Sequence, residues 1–462
     1  VVDLLQDVNL KLPAVLMNGV LLYDIKEEKY INIKEIEKNT VDKVFDILNK
    51  FHKNAMVYGV RNDHLWVYHK EFEYSWEYNF YKERADRKQK TFLKVEDYKE
   101  FLKESKIINF IVFDKSVSDP ANITISEDSD FLNRLITSGF YRVLCKSAMG
   151  GGEVFVCRLK EDNSNLYLDG SQANLTGPEG DVMVVFLEFW YKWYKVDDNR
   201  FLYHFADHDI DGTYIHVPES LVGAYKGYIS LNGLYSWSGV SPTTSKSFND
   251  FEDYAKARGT GFQMIDFQQH CVIAMMLYAK YKTRNIQSVL GLGGANNNPA
   301  TITGSSNATG GADTKNESSK YVCGLGLEGV FGGIYEWVEG VEINNRVWKI
   351  TDPDGSTRNV NAGTSNGWIT NIAAENGPFF DVVPTNVGGN DSMHYSDYYS
   401  QTSSNSIVLA RSYSGSDTSS GVAYAYASRN ALGASSHFGT RLAFRGIISE
   451  VAPEQFKKLP VL

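Results

Sequence analysis

Charge is spread so unevenly along this chain that a single fold is hard to reconcile with it. Of the first 118 residues, 40 are Asp, Glu, Lys or Arg; of the remaining 344, 62 are. A fall from about one in three to under one in five is what two unrelated modules joined end to end produce. The length of 462 residues leaves room for about three domains. An apolar share of 43% gives ample core. No window reaches ~18 consecutive apolar residues, so no helical membrane span is expected. A net charge of −10 argues against nucleic acid as a partner. Cys145, Cys157, Cys271 and Cys323 lack C-x-x-C spacing, which argues against a disulfide scaffold and a Cys-rich zinc site. The first residue is Val rather than Met, so the chain is expected to be processed or trimmed.

The charged segment, 1–117, alternates strand and helix signals. Ala14-Val15-Leu16-Met17 and Val20-Leu21-Leu22-Tyr23 flank Asn18-Gly19, a pair that tolerates the positive φ of a hairpin turn. Apolar residues at Val41, Val44, Phe45, Ile47, Leu48 and Phe51 predict a helix over 40–51, with Thr40 as its N-cap. Residues 55–60, 65–68 and 107–113 read as strands.

The run from Leu12-Pro13 through Asn18-Gly19 to Tyr23-Asp24 resembles haloacid-dehalogenase-type phosphatases with the large α/β cap, over roughly residues 10–115. That family's chemistry needs an Asp nucleophile two residues before an acid Asp, a Lys and a downstream acidic pair for Mg²⁺. No D-x-D occurs in 1–117. Asp209-Ile210-Asp211 spells one, but His204-Phe205-Ala206-Asp207-His208 before it does not read as an apolar strand, and a polar turn is the expectation. Asp207, Asp209, Asp211 and Gly212 also match the start of a Ca²⁺ loop. The twelfth position is Pro218 rather than Glu, however, so a solvated acidic turn competes with a cation site.

Residues 118–200 read as mostly β, with strands around Gly150-Gly151-Gly152 and a long apolar run over 181–191 that is either one strand or two. Beyond 201 the pattern is mixed. Ser247 caps a helix ended by Gly259 and Gly261, and a second helix is predicted over 266–281. The Gly/Asn/Ser/Thr-rich stretch 291–319 is long enough to be functional or mobile. Hairpin turns are expected at Asn344-Asn345 and Pro353-Asp354-Gly355.

Residues 411–440 carry eight Ser, four Gly and three Tyr, without Lys or Glu. Within them Val422-Ala423-Tyr424-Ala425-Tyr426-Ala427-Ser428 alternates. Ala423, Ala425 and Ala427 share one face; Val422, Tyr424, Tyr426 and Ser428 share the other. Small residues let one face lie close on a neighbouring layer. Tyr with Ser and Gly on the other is the composition of adaptable binding surfaces, although an ordinary hairpin with small packing residues fits too.

Three elements recur in order: Phe267-Gln268-Gln269-His270 in a helix, 332–340 around Glu336-Trp337, and 411–446, closing with Gly439-Thr440-Arg441-Leu442-Ala443-Phe444-Arg445-Gly446. Over about 205–448 they resemble the C-type-lectin-fold variable proteins diversified by retroelements, which are similar in turn to the formylglycine-generating-enzyme fold. Residues 180–191 more weakly resemble phage tail-fibre proteins. The resemblance implies ligand contacts at Tyr413, Ser414, Ser416, Asp417, Thr418, Tyr424, Tyr426, Ser428, Arg429, Asn430, Ser435, Ser436 and His437. Cys271 and Cys323 do not fit the formylglycine-generating motif, so that oxidation is not implied. Glu336 and Trp337 are expected to be structural.

The expectation is an α+β chain. It consists of an α/β cap-like segment (1–117), a small β-rich tail-fibre-like module (118–200), a C-type-lectin-like variable domain (201–450) and a C-terminal tail (451–462). The expected function is ligand or receptor binding rather than catalysis, on a phage tail or an extracellular surface. Its partner would be a host surface protein or glycan, a homotrimer is suggested by the tail-fibre resemblance, and no metal or cofactor is expected. The alternative is a Mg²⁺-dependent phosphatase using Asp209 and Asp211.

Overall fold

The computed structural model describes residues 14–16, 20–24, 27, 29–50, 54–72, 78, 81–82, 84–85, 90–112, 129–148, 151–197, 200–293, 301–314, 321–392, 394–412, 419 and 421–460. The chain is α+β and sheet-dominated, and it divides into two compact units, Val1–Ser116 and Val117–Leu462. The division falls where charge density drops.

In the first unit, strands Ala14–Leu16, Leu21–Asp24 and Lys29–Ile33 form one antiparallel sheet. Leu16 pairs with Leu21, so four residues connect the first two strands rather than a two-residue turn; Asn18-Gly19 itself lies outside the described residues. A second sheet runs in the order Thr91–Lys94, His64–His69, Ala55–Arg61, Lys106–Val112. Asn62 and Asp63, with φ of 50° and 52°, make the two-residue turn between its central strands, which is hairpin chemistry the sequence reading passed over. Helix Lys38–Lys50 buries Val41, Phe45 and Leu48 on one stripe of a 3.6-residue period. Thr40 lies inside this helix and does not cap it.

The second unit runs across the divisions expected at 200 and 450. One eight-stranded sheet takes Phe140–Ser147, Glu153–Lys160, Asn163–Tyr167 and Asp181–Phe186 together with Ser220–Gly223, Phe262–Met264, Leu442–Phe444 and Ile447–Glu450. Strands from 140–186 therefore share backbone hydrogen bonds with strands beyond 200 and cannot form a separate module. The C-terminal segment is held the same way: Phe456 is buried, and Lys146 donates to the carbonyls of Phe456 (2.9 Å) and Leu459 (2.7 Å). The apolar run over 181–191 breaks after Phe186. Strand Phe189–Asp197 enters a different, three-stranded antiparallel sheet with Arg200–Ala206 and Ile215–Val217.

A nine-stranded sheet has the order Thr357–Asn361, Val347–Thr351, Tyr335–Asn344, Ile407–Arg411, Ala425–Asn430, Tyr398–Gln401, Gly367–Ile372, Pro384–Val387. Phe438–Gly439 adds to the 335–344 strand. The turn after Asn344 is Asn345-Arg346, both at positive φ, one residue later than expected. Helix Phe267–Tyr281 has apolar residues on every side and is buried on nearly every side; Asp266 caps it by accepting from the Gln269 N–H (2.9 Å). The described part of 291–319 is tied down: Glu328 accepts from the backbone N–H groups of Gly304 and Ser306, each at 2.8 Å.

Candidate functional site

Strand Ala425–Asn430 lies inside the nine-stranded sheet, antiparallel to Ile407–Arg411 and parallel to Tyr398–Gln401. Its small-residue face is core. Ala423, Ala425 and Ala427 are fully buried, in the same cluster as Tyr399, Trp348 and the helix Phe267–Tyr281. Arg411 lies fully buried beneath this face and donates to the carbonyls of Val382 (2.5 Å) and Ala423 (3.4 Å).

The Tyr/Ser face is graded. Tyr424 is 4% exposed, and its ring centroid lies 5.9 Å from that of Tyr335. It is a core residue, which corrects the expectation that it faces a ligand. Trp337 and Phe438, from strands of the same sheet, stack on each other, Phe248 meets Trp337 edge to face, and all three share a core cluster with Tyr424. Alternation with period two separates the two faces of a strand, but it does not distinguish a covered face from an open one. Exposure increases along the strand. Tyr426 is half-buried, 5.3 Å from the ring of Tyr335 and 5.8 Å from that of Phe438. Ser428 is half-buried, with its hydroxyl 3.4 Å from that of Ser400. Arg429 lies over the Phe438 ring at 5.0 Å, and Asn430 is exposed.

The next turns bring Ser435, Ser436 and His437 to the start of strand Tyr335–Asn344. His437 Nδ1 lies 3.3 Å from the Ser435 hydroxyl, and the His437 carbonyl accepts from the Tyr335 N–H (2.8 Å). Leu432, 75% exposed, caps the turn between them. Tyr413, Ser414, Ser416, Asp417 and Thr418 lie outside the described residues.

Two aromatic residues that the sequence reading missed extend this face. Trp368 pairs across strands with Tyr398, their rings meeting edge to face at 5.9 Å, and both are half-buried. The available signal was the alternation of Trp368 and Tyr398 with the buried Ile369 and Tyr399.

Asp397 anchors the entry to the strand. This wholly buried carboxylate accepts from the Ala423 N–H (2.7 Å) and from the Gln287 amide (2.8 Å), and burial pushes it up to about 7. Gly421 fits against it because a Cβ there would lie 2.1 Å from Asp397 Oδ1. Deeper, Glu336 is buried between Lys226 (2.9 Å) and Arg441 (2.6 Å), with His270 at 3.8 Å. Burial opposes the charge on Glu336, but Arg441 and Lys226 outweigh it and hold the carboxyl below its usual range. Burial lowers Lys226 to about 8 and His270 to about 3. With Trp337 fully buried beside it, this cluster lies wholly within the core.

Asp209 accepts from the N–H groups of Gly212 (2.8 Å) and Tyr214 (3.3 Å), while Asp211 takes the Thr213 N–H (3.0 Å) and the Lys192 ammonium (2.9 Å). The segment before this acidic turn is a strand after all, Arg200–Ala206, but an antiparallel one. Among the described residues no group of three His, Cys, Asp or Glu is placed to hold a metal. No described helix is long and apolar enough to cross a membrane.

Residues 1–142 match the family of haloacid dehalogenase-like hydrolases. The match covers under a third of the chain and bears on the resemblance of its first segment alone. No curated protein matches the chain.

Proposed function

We propose that residues 201–450 act as a ligand-binding domain of C-type-lectin-like fold, related to the variable proteins diversified by retroelements. The domain would serve on a phage tail or another extracellular surface, against a host surface protein or glycan, in a homotrimer. One observation carries this reading. A strand in the middle of a large sheet has one face locked by three buried alanines and the other running from buried Tyr424 to half-buried Tyr426 and Ser428, with half-buried Trp368 and Tyr398 alongside. Side chains on the open part can change at little cost to the fold, since surface substitutions usually stay within ~0.5 kcal/mol. Half-buried aromatics supply contact area at low entropy cost.

A library randomised at Ser428, Asn430, Ser435, Ser436 and His437, displayed on the full chain and panned against a lysozyme as a defined target, tests the reading. Enrichment of folded binders supports it. A library that folds yet enriches nothing contradicts it.

The match of 1–142 to haloacid dehalogenase-like hydrolases favours a second reading, a Mg²⁺-dependent phosphatase. Turnover of p-nitrophenyl phosphate that requires Mg²⁺ and disappears in Asp209→Asn would establish it in place of the first.

A further inference from the structure

Away from the sheet face, three hollows of about 450, 420 and 520 Å³ surround the loop 376–379 in the second unit. They share walls. The first and second share Arg358, Phe379 and Asp381; the second and third share Asn376 and Gly377; Ile215 lines both the first and the third. Each has the size of a small-ligand pocket. Their shared linings set three adjoining hollows around one loop, an arrangement that suits a chain-like ligand better than a compact one.

The chemistry of the lining narrows the ligand. Arg358 and Lys192 are the lysine and arginine side chains in the three linings. Arg358 donates to Asp352 (2.8 and 3.1 Å) and to both oxygens of Asp381, and Lys192 is paired with Asp211 at 2.9 Å. With both cations committed, a phosphate, sulfate or sialic acid would enter without a counter-charge. The remaining polar groups mix the neutral amides and hydroxyls of Asn359, Asn361, Asn376, Thr385, Gln268 and Ser356 with His216 and the carboxylates of Asp352, Asp354, Asp381 and Glu375. Such groups offer donors and acceptors together, as hydroxyl ligands require. The Thr385 hydroxyl finds no partner among the described residues. Flat apolar surface accompanies them in the half-buried rings of Tyr214 and Phe379. Phe379 is held in place by the Arg358 guanidinium, 4.1 Å from its ring centroid.

We infer that these adjoining hollows bind a neutral oligosaccharide, at a site separate from the sheet face. Sugar hydroxyls meet the amides and the carboxylates of Asp352 and Asp381, and pyranose faces lie on Phe379 and Tyr214.

Saturation-transfer NMR on the full chain tests it, with tri- to hexasaccharides of glucose, mannose, galactose and N-acetylglucosamine, and with sialyllactose and choline as charged competitors. At least one neutral oligomer should receive saturation at millimolar concentration. Phe379→Ala and the exposed-site variant Asn376→Ala should each weaken its binding roughly tenfold, while Ser428→Tyr on the sheet face leaves it unchanged. Thermal melts check that each variant is folded, and Asn376→Ala keeps the test decisive if Phe379→Ala is not. The inference is overturned if no neutral oligomer binds, if sialyllactose or choline binds in preference, or if binding survives Asn376→Ala undiminished.

Discussion

Replacing Tyr426 by Ser measures how far the sheet face is open. Composition alone suggests an exposed ring whose loss would leave the melting temperature unchanged. The structure gives a different magnitude. Tyr426 is half-buried, so about half of the ~1.5–3 kcal/mol for burying a large side chain is at stake, roughly 1 kcal/mol. Its ring contacts with Tyr335 and Phe438 add ~0.5–1.5 kcal/mol beyond area. The total is about 2 kcal/mol. In a unit this large each kcal/mol moves the melting temperature by ~2 °C, so a fall of about 4 °C is expected. Ser428→Tyr, two residues on, should stay within ~0.5 kcal/mol. Ala425→Leu on the locked face should cost ~1–3 kcal/mol by overpacking against Tyr399 and its neighbours. Scanning calorimetry of the three variants decides it. A neutral Tyr426→Ser together with a costly Ser428→Tyr would mean that the gradient along the strand runs the other way.

Trp337→Ala removes a fully buried ring stacked 4.4 Å from Phe438 and should cost ~3–5 kcal/mol in denaturant titration. Gly421→Ala forces a Cβ against Asp397 and should cost ~1–3 kcal/mol, read by the same titration. His270 is held neutral in the fold, at about 3 against 6.5 when free. The unfolded chain therefore binds the extra proton, and the second unit loses stability as pH falls from 6.5 towards 3, on the order of 4 kcal/mol at the bottom of the window. Urea midpoints across that range should shift less in His270→Phe.

Much of the architecture was legible where local chemistry is unambiguous. Asp266 with Gln269 and Ser247 with Asp250 are capping boxes, and both helices begin where those pairs place them. The alanine face was legible for the same reason, because three small residues at period two serve close packing. What stays hidden is set by distant parts of the chain. Nothing near Tyr424 says that Tyr335 packs against it. Nothing near 186 says that Phe189 starts a strand in another sheet. The His204–His208 stretch does not read as an apolar strand, yet Leu202, Tyr203 and Phe205 supply apolar content to Arg200–Ala206. Trp368 and Tyr398 sit 30 residues apart, and only the strand register makes them one surface.

The proposed function requires ligand to meet the open part of the Tyr/Ser face of the nine-stranded sheet. Hydroxyl-radical footprinting of the full chain with and without a bound ligand, using the lysozyme target and a variant selected against it, tests this most directly. Protection of Tyr426, Trp368, Tyr398, Leu432 and His437, with Tyr424 and Trp337 unreactive in both states, is the predicted result. Protection confined to residues outside this face, with those five side chains as reactive in the complex as in the free chain, would contradict it.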